Sequence, residues 1–162
     1  MENFYQEYKG YAEILKQYIN DTSSIINDAI NKNKKIIFEG AQGTLLDIDH
    51  GTYPFVTSSS ATVGGVCTGL GISPKKIQNI LGVCKAYKTR VGNGPFPTEI
   101  TGAISGKIQK TGKEFGATTG RQRRVGWFDA LIGKYAVMVN GIDSIALTKL
   151  DVLTTVEKLR IC

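Results

Sequence analysis

Apolar residues recur at spacings of three and four along the opening third of the chain. Tyr8, Tyr11, Ile14, Leu15 and Tyr18 predict an amphipathic helix over Glu7–Tyr18. Ile25, Ile26, Ala29 and Ile30 predict a second over Asp21–Lys32, capped by Thr22 or Ser23, with lysines near its end where the helix dipole favours them. The short run Ile36–Phe38 then reads as a buried strand, and it leads into a stretch of small, hydroxylated and glycine residues that reaches Gly65. Gly40 and Gly43 let the backbone turn tightly there, so this stretch is expected to hold a ligand. Helix, strand and glycine-rich turn in this order predict an α/β protein, whose ligands sit beyond the carboxyl ends of the strands.

Further along, the small residues of Ser60–Leu70 fit either a closely packed helix or a backbone cradle. Ser73 followed by Pro74 predicts a helix start that continues through Lys75–Ile80. Leu81–Val91 predicts one strand ending in the loop VGNGPFPTE, and Thr98–Lys113 an irregular excursion or small hairpin. A helix is expected within Gly126–Asn140, closed by Gly141, and a buried strand over Ser144–Leu147 that runs into Thr148–Asp151. Lys158–Cys162 reads as a strand cut short, and the opening helices have no preceding strand to pack on, which together predict an incomplete domain.

Composition narrows the partners. At 162 residues, 41% hydrophobic and 21% charged, the chain fits one soluble globular unit. Its net charge of +6 favours acidic ligands such as phosphates or carboxylates without choosing among them. Cys67, Cys84 and Cys162 are too widely spaced for a disulfide framework or zinc site, which suggests a reducing compartment; the expected location is the cytoplasm, with no membrane span.

Three clusters can carry chemistry. Thr148-Lys149-Leu150-Asp151 after an apolar strand has the form of a guanine reader: a carboxylate at Asp151 can accept the ring N–H and exocyclic amino group of guanine, while the Lys149 stem covers the base. A solvated Lys and Asp at a strand end is the plain alternative. Gly116-Ala117-Thr118-Thr119-Gly120-Arg121-Gln122-Arg123-Arg124 offers hydroxyls, backbone N–H groups and three guanidinium groups that can clamp carboxylates or phosphates, or lie solvated against nucleic acid backbone. Asp47, Asp49 and His50 have metal-ligating side chains, although a single histidine is more often structural. No Walker A loop is present, and Pro97 stands where a dinucleotide fingerprint needs its third glycine.

Four stretches, FEGAQGTLLDIDHGTYPFVTSSSATVGG, KAYKTRVGNGPFPTE, FGATTGRQRRVGW and LTKLDVL, together resemble the adenylosuccinate synthetases over essentially the whole chain. The resemblance implies an α/β fold with a mostly parallel sheet flanked by helices, similar to P-loop nucleoside triphosphatases but lacking a Walker A. Residues 1–162 would be the central part of a single domain, truncated at both ends. It implies a GTP-dependent ligase, assisted by Mg2+, that joins L-aspartate to IMP through a 6-phosphoryl intermediate, works as a homodimer and binds neither nucleic acid nor membrane. By this resemblance Gln42 contacts the base near its reacting oxygen, Thr57 binds the IMP 5′-phosphate, and Val91 forms a wall near IMP and aspartate. Ala117, Thr118, Thr119, Gly120, Arg121, Gln122 and Arg123 form the aspartate loop; Arg121 also approaches IMP, Arg123 reaches GTP, and Lys149, Leu150 and Asp151 read guanine. Gln122 departs from the family by replacing a further basic residue. The family's opening Gly-Asp-Glu-Gly-Lys-Gly-Lys loop, with its catalytic aspartate, and the histidine that follows it are not in the sequence, so this chain alone is expected to be inactive or to bind ligand weakly. A stand-alone guanine-nucleotide-binding regulatory module is the alternative, and a basic nucleic-acid-binding domain a weaker third.

Overall fold

The computed structural model describes residues 2–116 and 120–162, with the backbone alone at Thr155. Helix α1 spans Glu2–Lys16 and α2 Thr22–Asn31. The cap of α2 is Asp21 rather than Thr22 or Ser23: its carboxylate accepts the Ser24 N–H at 3.1 Å, because the residue just before the first helical one is placed to do so. The apolar stripe forms from Tyr8 to Leu15, with the helix beginning earlier and ending before Tyr18, and it lies exposed; Phe4 packs tilted against Tyr8, which meets Tyr11 edge-on.

No strand forms at Ile36–Phe38. A strand exists only through its ladder, none of the described residues pairs with this run, and Ile37 is 93% exposed. The small residues after the loop do give a helix, α3, over Gly64–Leu70, closed by Gly71 at φ 64°. Ser73 caps only a single 3-10 turn, Pro74–Lys76. The expected continuation to Ile80 fails because Asp143 takes both polar groups of Ile80: its carboxylate accepts the Ile80 N–H at 2.7 Å and its own N–H donates to the Ile80 carbonyl at 3.0 Å. That draws the chain into the following strand.

Leu81–Val91 is two strands, not one. β1 spans Leu81–Lys85 and β2 Lys88–Arg90, and they belong to different sheets. Between them Ala86 donates to the Thr148 carbonyl and Tyr87 drops into the core. The stretch expected to be irregular contains α4, Ala103–Gly112, whose one fully buried apolar side chain is Ile108. β3 spans Arg124–Gly126 and α5 Ala130–Asn140; α5 begins four residues later than its apolar pattern because Asp129 caps it, accepting the Ile132 N–H at 3.0 Å. Gly126 stays in β3, where any side chain would run into the Phe96 ring. β4, Ser144–Thr148, follows Gly141 as expected, but its residues are largely exposed rather than buried. Near the end, Ile161 forms one parallel bridge with Phe128.

The architecture is α/β. β1 and β4 pair in parallel, from Leu81 opposite Ser144 to Lys85 opposite Thr148. β2 and β3 form a shorter antiparallel pair, extended by the bridge of Glu99 to Gly126. Tyr87, Ile100, Ile108 and Val125 join Val152 and Leu153 in one core beneath α4, with Trp127 packed against it. Among the described residues no helix is long and apolar enough to cross a membrane.

Because Ile108 is wholly buried at the centre of this core, Ile108→Ala should lower unfolding stability by about 3 kcal/mol through lost burial and a residual cavity. Urea denaturation measures this; a loss below about 1 kcal/mol would mean that the core is not organised around α4.

Candidate functional site

The loop from Gly43 to Val63 is built around Asp47, a carboxylate only 1% exposed. Its Oδ1 accepts the backbone N–H groups of Asp49 and His50 at 2.9 and 3.0 Å, and its Oδ2 that of Thr62 at 2.9 Å. Burial alone would raise its pKa, but these donors outweigh burial and hold it at about 2. The Asp47 and His50 pair is therefore a loop clamp: the carboxylate is taken by the main chain, and the His50 carbonyl accepts the Tyr135 hydroxyl of α5. Asn140, at the end of α5, fastens the same loop with a donor to Thr44 Oγ1 at 2.9 Å and an acceptor for the Val63 N–H at 2.9 Å.

Gln42 lines a cleft of about 540 Å³ bounded by residues 37–42 on one side and by Ser59, Thr62 and Gly65 on the other. Gln42 stands at φ 62°, a left-handed conformation uncommon for a residue with a side chain. Thr57 lies beside this cleft: its N–H donates to the Leu46 carbonyl at 2.8 Å and its hydroxyl is 3.4 Å from that of Ser59.

Two arginines that the sequence did not single out for this purpose hold the neighbouring loop. From β2, Arg90 donates to the carbonyls of Asn93 and Pro95 and reaches across to Thr52 Oγ1 at 2.9 Å and the Phe55 carbonyl at 3.3 Å. Its partner in register on β3, Arg124, donates to the carbonyls of Gly92 and Gly94 and makes a two-pronged ion pair with Glu99, whose carboxyl it holds below the usual range. Arg124 is thus a structural staple of the glycine loop. Val91, next in the chain after Arg90, is 55% exposed.

The basic loop is closed as a hairpin. Phe115 bridges Gln122, Gly116 donates to the Arg121 carbonyl at 2.7 Å, and Gly120 turns at φ 63°. Ala117, Thr118 and Thr119 lie outside the described residues. Gln122, the departure from a basic residue, donates to Gln109 Oε1 at 2.7 Å, and Gln109 in turn donates to the Arg123 carbonyl at 2.8 Å. Arg121 is exposed, whereas Arg123 gives Nη1 to Glu114 Oε2 at 3.0 Å.

At the end of β4, Lys149 also adopts the left-handed conformation, φ 63°, and its ammonium donates to the Gly112 carbonyl at 2.8 Å. Leu150 and Asp151 are exposed, and buried Val152 and Leu153 anchor the turn that follows. Lys149 and Arg123 therefore meet at the C-terminal end of α4. Gln42 lies just before the Asp47 loop and Thr57 on it, and Arg90 ties that loop to the β2–β3 pair, which begins right after Arg123, whereas Lys149 follows the separate β1–β4 pair. Sequence reasoning missed Arg90, Glu99 and Glu114. Arg90 to Thr52, Glu99 to Arg124 and Glu114 to Lys85 join residues far apart in the chain, so no local spacing signals them.

The sequence model of a protein family described as adenylosuccinate synthetase matches residues 1–162. Adenylosuccinate synthetase of Geobacter sulfurreducens is 59% identical over 161 residues, covering 99% of this chain and 37% of that protein. The Thermodesulfovibrio yellowstonii relative is 60% identical over 156 residues, covering 96% of this chain and again 37% of its own length. A solved structure of fully ligated adenylosuccinate synthetase from Plasmodium falciparum has a TM-score of 0.94 at 46% identity, covering 97% of this chain and 37% of that one. The succinoaminodeoxyadenylate synthetase of cyanophage S-2L shares the fold at a TM-score of 0.64 and 24% identity. The chain thus spans 37% of the length of the curated relatives described.

Asp47 gives a signed pH dependence. With its folded pKa near 2, below the roughly 3.9 of a free aspartate, its stabilisation is present above about pH 4 and is lost as pH falls toward 2. Asp47→Asn should cost about 2 kcal/mol at pH 7, and progressively less at lower pH. Equal losses at pH 7 and at about pH 3 in urea unfolding would contradict the clamp's charge.

Proposed function

The chain belongs to the adenylosuccinate synthetase family, and we propose that it is the central part of a GTP-dependent ligase that joins L-aspartate to IMP. The observation that carries this reading is the match of residues 1–162 to the family, together with the close superposition on a fully ligated family structure. In this reading GTP transfers its γ-phosphoryl group to the 6-oxygen of IMP and leaves as GDP, and the amine of aspartate then displaces that phosphate with loss of a proton, giving adenylosuccinate and inorganic phosphate.

Each residue's part follows from its chemistry. Gln42 can donate and accept at the reacting base from the wall of the cleft, and Thr57 offers a hydroxyl to the 5′-phosphate. Val91 supplies an apolar wall. The hairpin, with Ala117–Thr119 and Gly120 through Arg123, takes aspartate; Arg121 binds its carboxylate, and Arg123 stabilises charge on the GTP phosphates. The exposed carboxylate of Asp151 accepts guanine's two N–H donors, beside the Lys149 stem and Leu150. Magnesium, when bound, neutralises phosphate charge. Asp47 is already occupied by three backbone donors, and the described residues contain no group of three side chains able to hold a metal. The described residues therefore do not form a magnesium cage, in keeping with an ion held mainly by parts of the family protein outside these 162 residues. By the family likeness the glycine-rich loop and histidine that supply the catalytic acid and base lie outside these 162 residues, so the proposal for the segment alone is inactivity or weak ligand binding. A cytoplasmic homodimer is the proposed working form.

Two variants in a family-length chain test the roles. Asp151→Asn should raise KM for GTP by about 10- to 100-fold, the value of a charge-assisted hydrogen-bond pair, and improve use of xanthosine triphosphate. An unchanged nucleotide preference would remove Asp151 from the guanine site. Arg121→Leu should lower kcat/KM for aspartate by about 100-fold; a near-normal aspartate response would rule out that carboxylate contact.

A further inference from the structure

Glu114 is the second carboxylate buried to 1% exposure, and it stands just past the end of α4, after Lys113 turns the chain at φ 52°. Its Oε1 accepts the Tyr87 hydroxyl at 2.6 Å and the Lys85 ammonium at 3.0 Å; its Oε2 accepts Arg123 Nη1 at 3.0 Å. The main chain repeats the grip, since the Arg123 N–H donates to the Glu114 carbonyl at 2.9 Å. Two residues earlier, the Gly112 carbonyl takes the Lys149 ammonium. This corner is closely fitted: a side chain at Gly112 would collide with the Tyr87 hydroxyl.

One carboxylate here faces two cations directly, with a third on the adjacent turn. Burial lowers the pKa of Lys85, Glu114 opposes that shift, and the charges of Arg123 and Lys149 add to it. The cluster therefore keeps an excess of positive charge while each cation is held in place, an arrangement suited to an anionic ligand. Without Glu114, the cations would repel one another and Arg123 would lose its side-chain anchor.

We infer that Glu114 is a positioning residue that sets Arg123 for the nucleotide phosphates and joins it, through the Gly112–Glu114 turn, to the guanine-reading end of β4. This rests on the GTP roles proposed for Arg123 and Lys149. It assigns Glu114, Lys85 and Tyr87 no contact with substrate: they act through Arg123.

The test uses a family-length chain, with initial rates measured well below the melting temperature of each variant. Glu114→Gln keeps the shape and removes the charge; it should raise KM for GTP by about 10-fold while changing KM for IMP less than about 3-fold. In an Arg123→Leu background the same substitution should add less than about 2-fold, because both act through one group. Tyr87→Phe, which deletes one donor to Glu114 and preserves the core, should raise KM for GTP by about 3-fold and serves if Glu114→Gln does not fold. A GTP KM unchanged in these variants, or an equal effect of Glu114→Gln with and without Arg123, overturns the inference even where Arg123→Leu alone is impaired. If Arg123→Leu itself leaves the GTP KM unchanged, the GTP role of Arg123 has failed, and the inference falls with it.

Discussion

The last rung of the parallel ladder, Lys85 opposite Thr148, determines where the chemistry of this chain can sit. Parallel pairing brings the carboxyl ends of β1 and β4 to the same level, and Ala86 extends the match by donating to the Thr148 carbonyl. From one strand the chain delivers Lys85 and then Tyr87; from the other it delivers Lys149 and Asp151. α4 ends beside both, so the Gly112 carbonyl meets Lys149 and the Glu114 carboxylate meets Lys85. A slip of one residue in the ladder would turn alternate side chains to the opposite face and separate these partners. The hairpin carrying Arg123 is then attached to the resulting corner by its hydrogen bonds to Glu114.

The buried polar residues share this logic of fixing loops. Asp47 satisfies three backbone donors, Asp129 caps α5, Asn140 bridges two parts of the Asp47 loop, and Glu114 gathers one hydroxyl and two cations. A buried ion pair contributes little net stability against an apolar substitute, because desolvation offsets its attraction. Removing one partner is costly, since the other charge stays buried. Such groups consequently confer geometry more than stability. Here they stand next to each loop with a proposed ligand role, while the apolar core beneath α4 supplies the cohesion.

Much of the outline was legible in the sequence, for physical reasons that also mark where it stopped. The apolar spacing of α5 and its Gly141 stop are local signals, and the Thr148–Asp151 turn follows a strand recognisable by its own residues. Ile36–Phe38 has the same propensity as those strands yet forms none, because pairing is a property of two segments and only one was read. The break at Ala86–Tyr87 is set by the distant Thr148 carbonyl and by core burial, so Leu81–Val91 looked continuous. α4 was hidden because Ile104 and Ile108 are its only large apolar residues, set among glycines and lysines, although their spacing of four was the available clue. At the site, Gln42, Thr57 and the arginines were picked out by residue type and family likeness. Arg124 was grouped with the ligand-clamping arginines, whereas its guanidinium closes on Glu99 and two loop carbonyls.

The two non-glycine residues at positive φ that do not follow a helix, Gln42 and Lys149, both carry proposed base contacts, but the structure supports them unequally. Lys149 is preceded by the β4 ladder, followed by buried Val152 and Leu153, and tied by its ammonium to α4. Its strained backbone is over-determined from both sides, as a preorganised recognition element requires. Gln42 is supported on one side only, by the 3-10 turn over Thr44–Leu46, while residues 35–42 make no backbone hydrogen bonds among the described residues. The proposed guanine end is thus held by the fold on both sides, whereas the proposed purine shelf at Gln42 has such support on one side only.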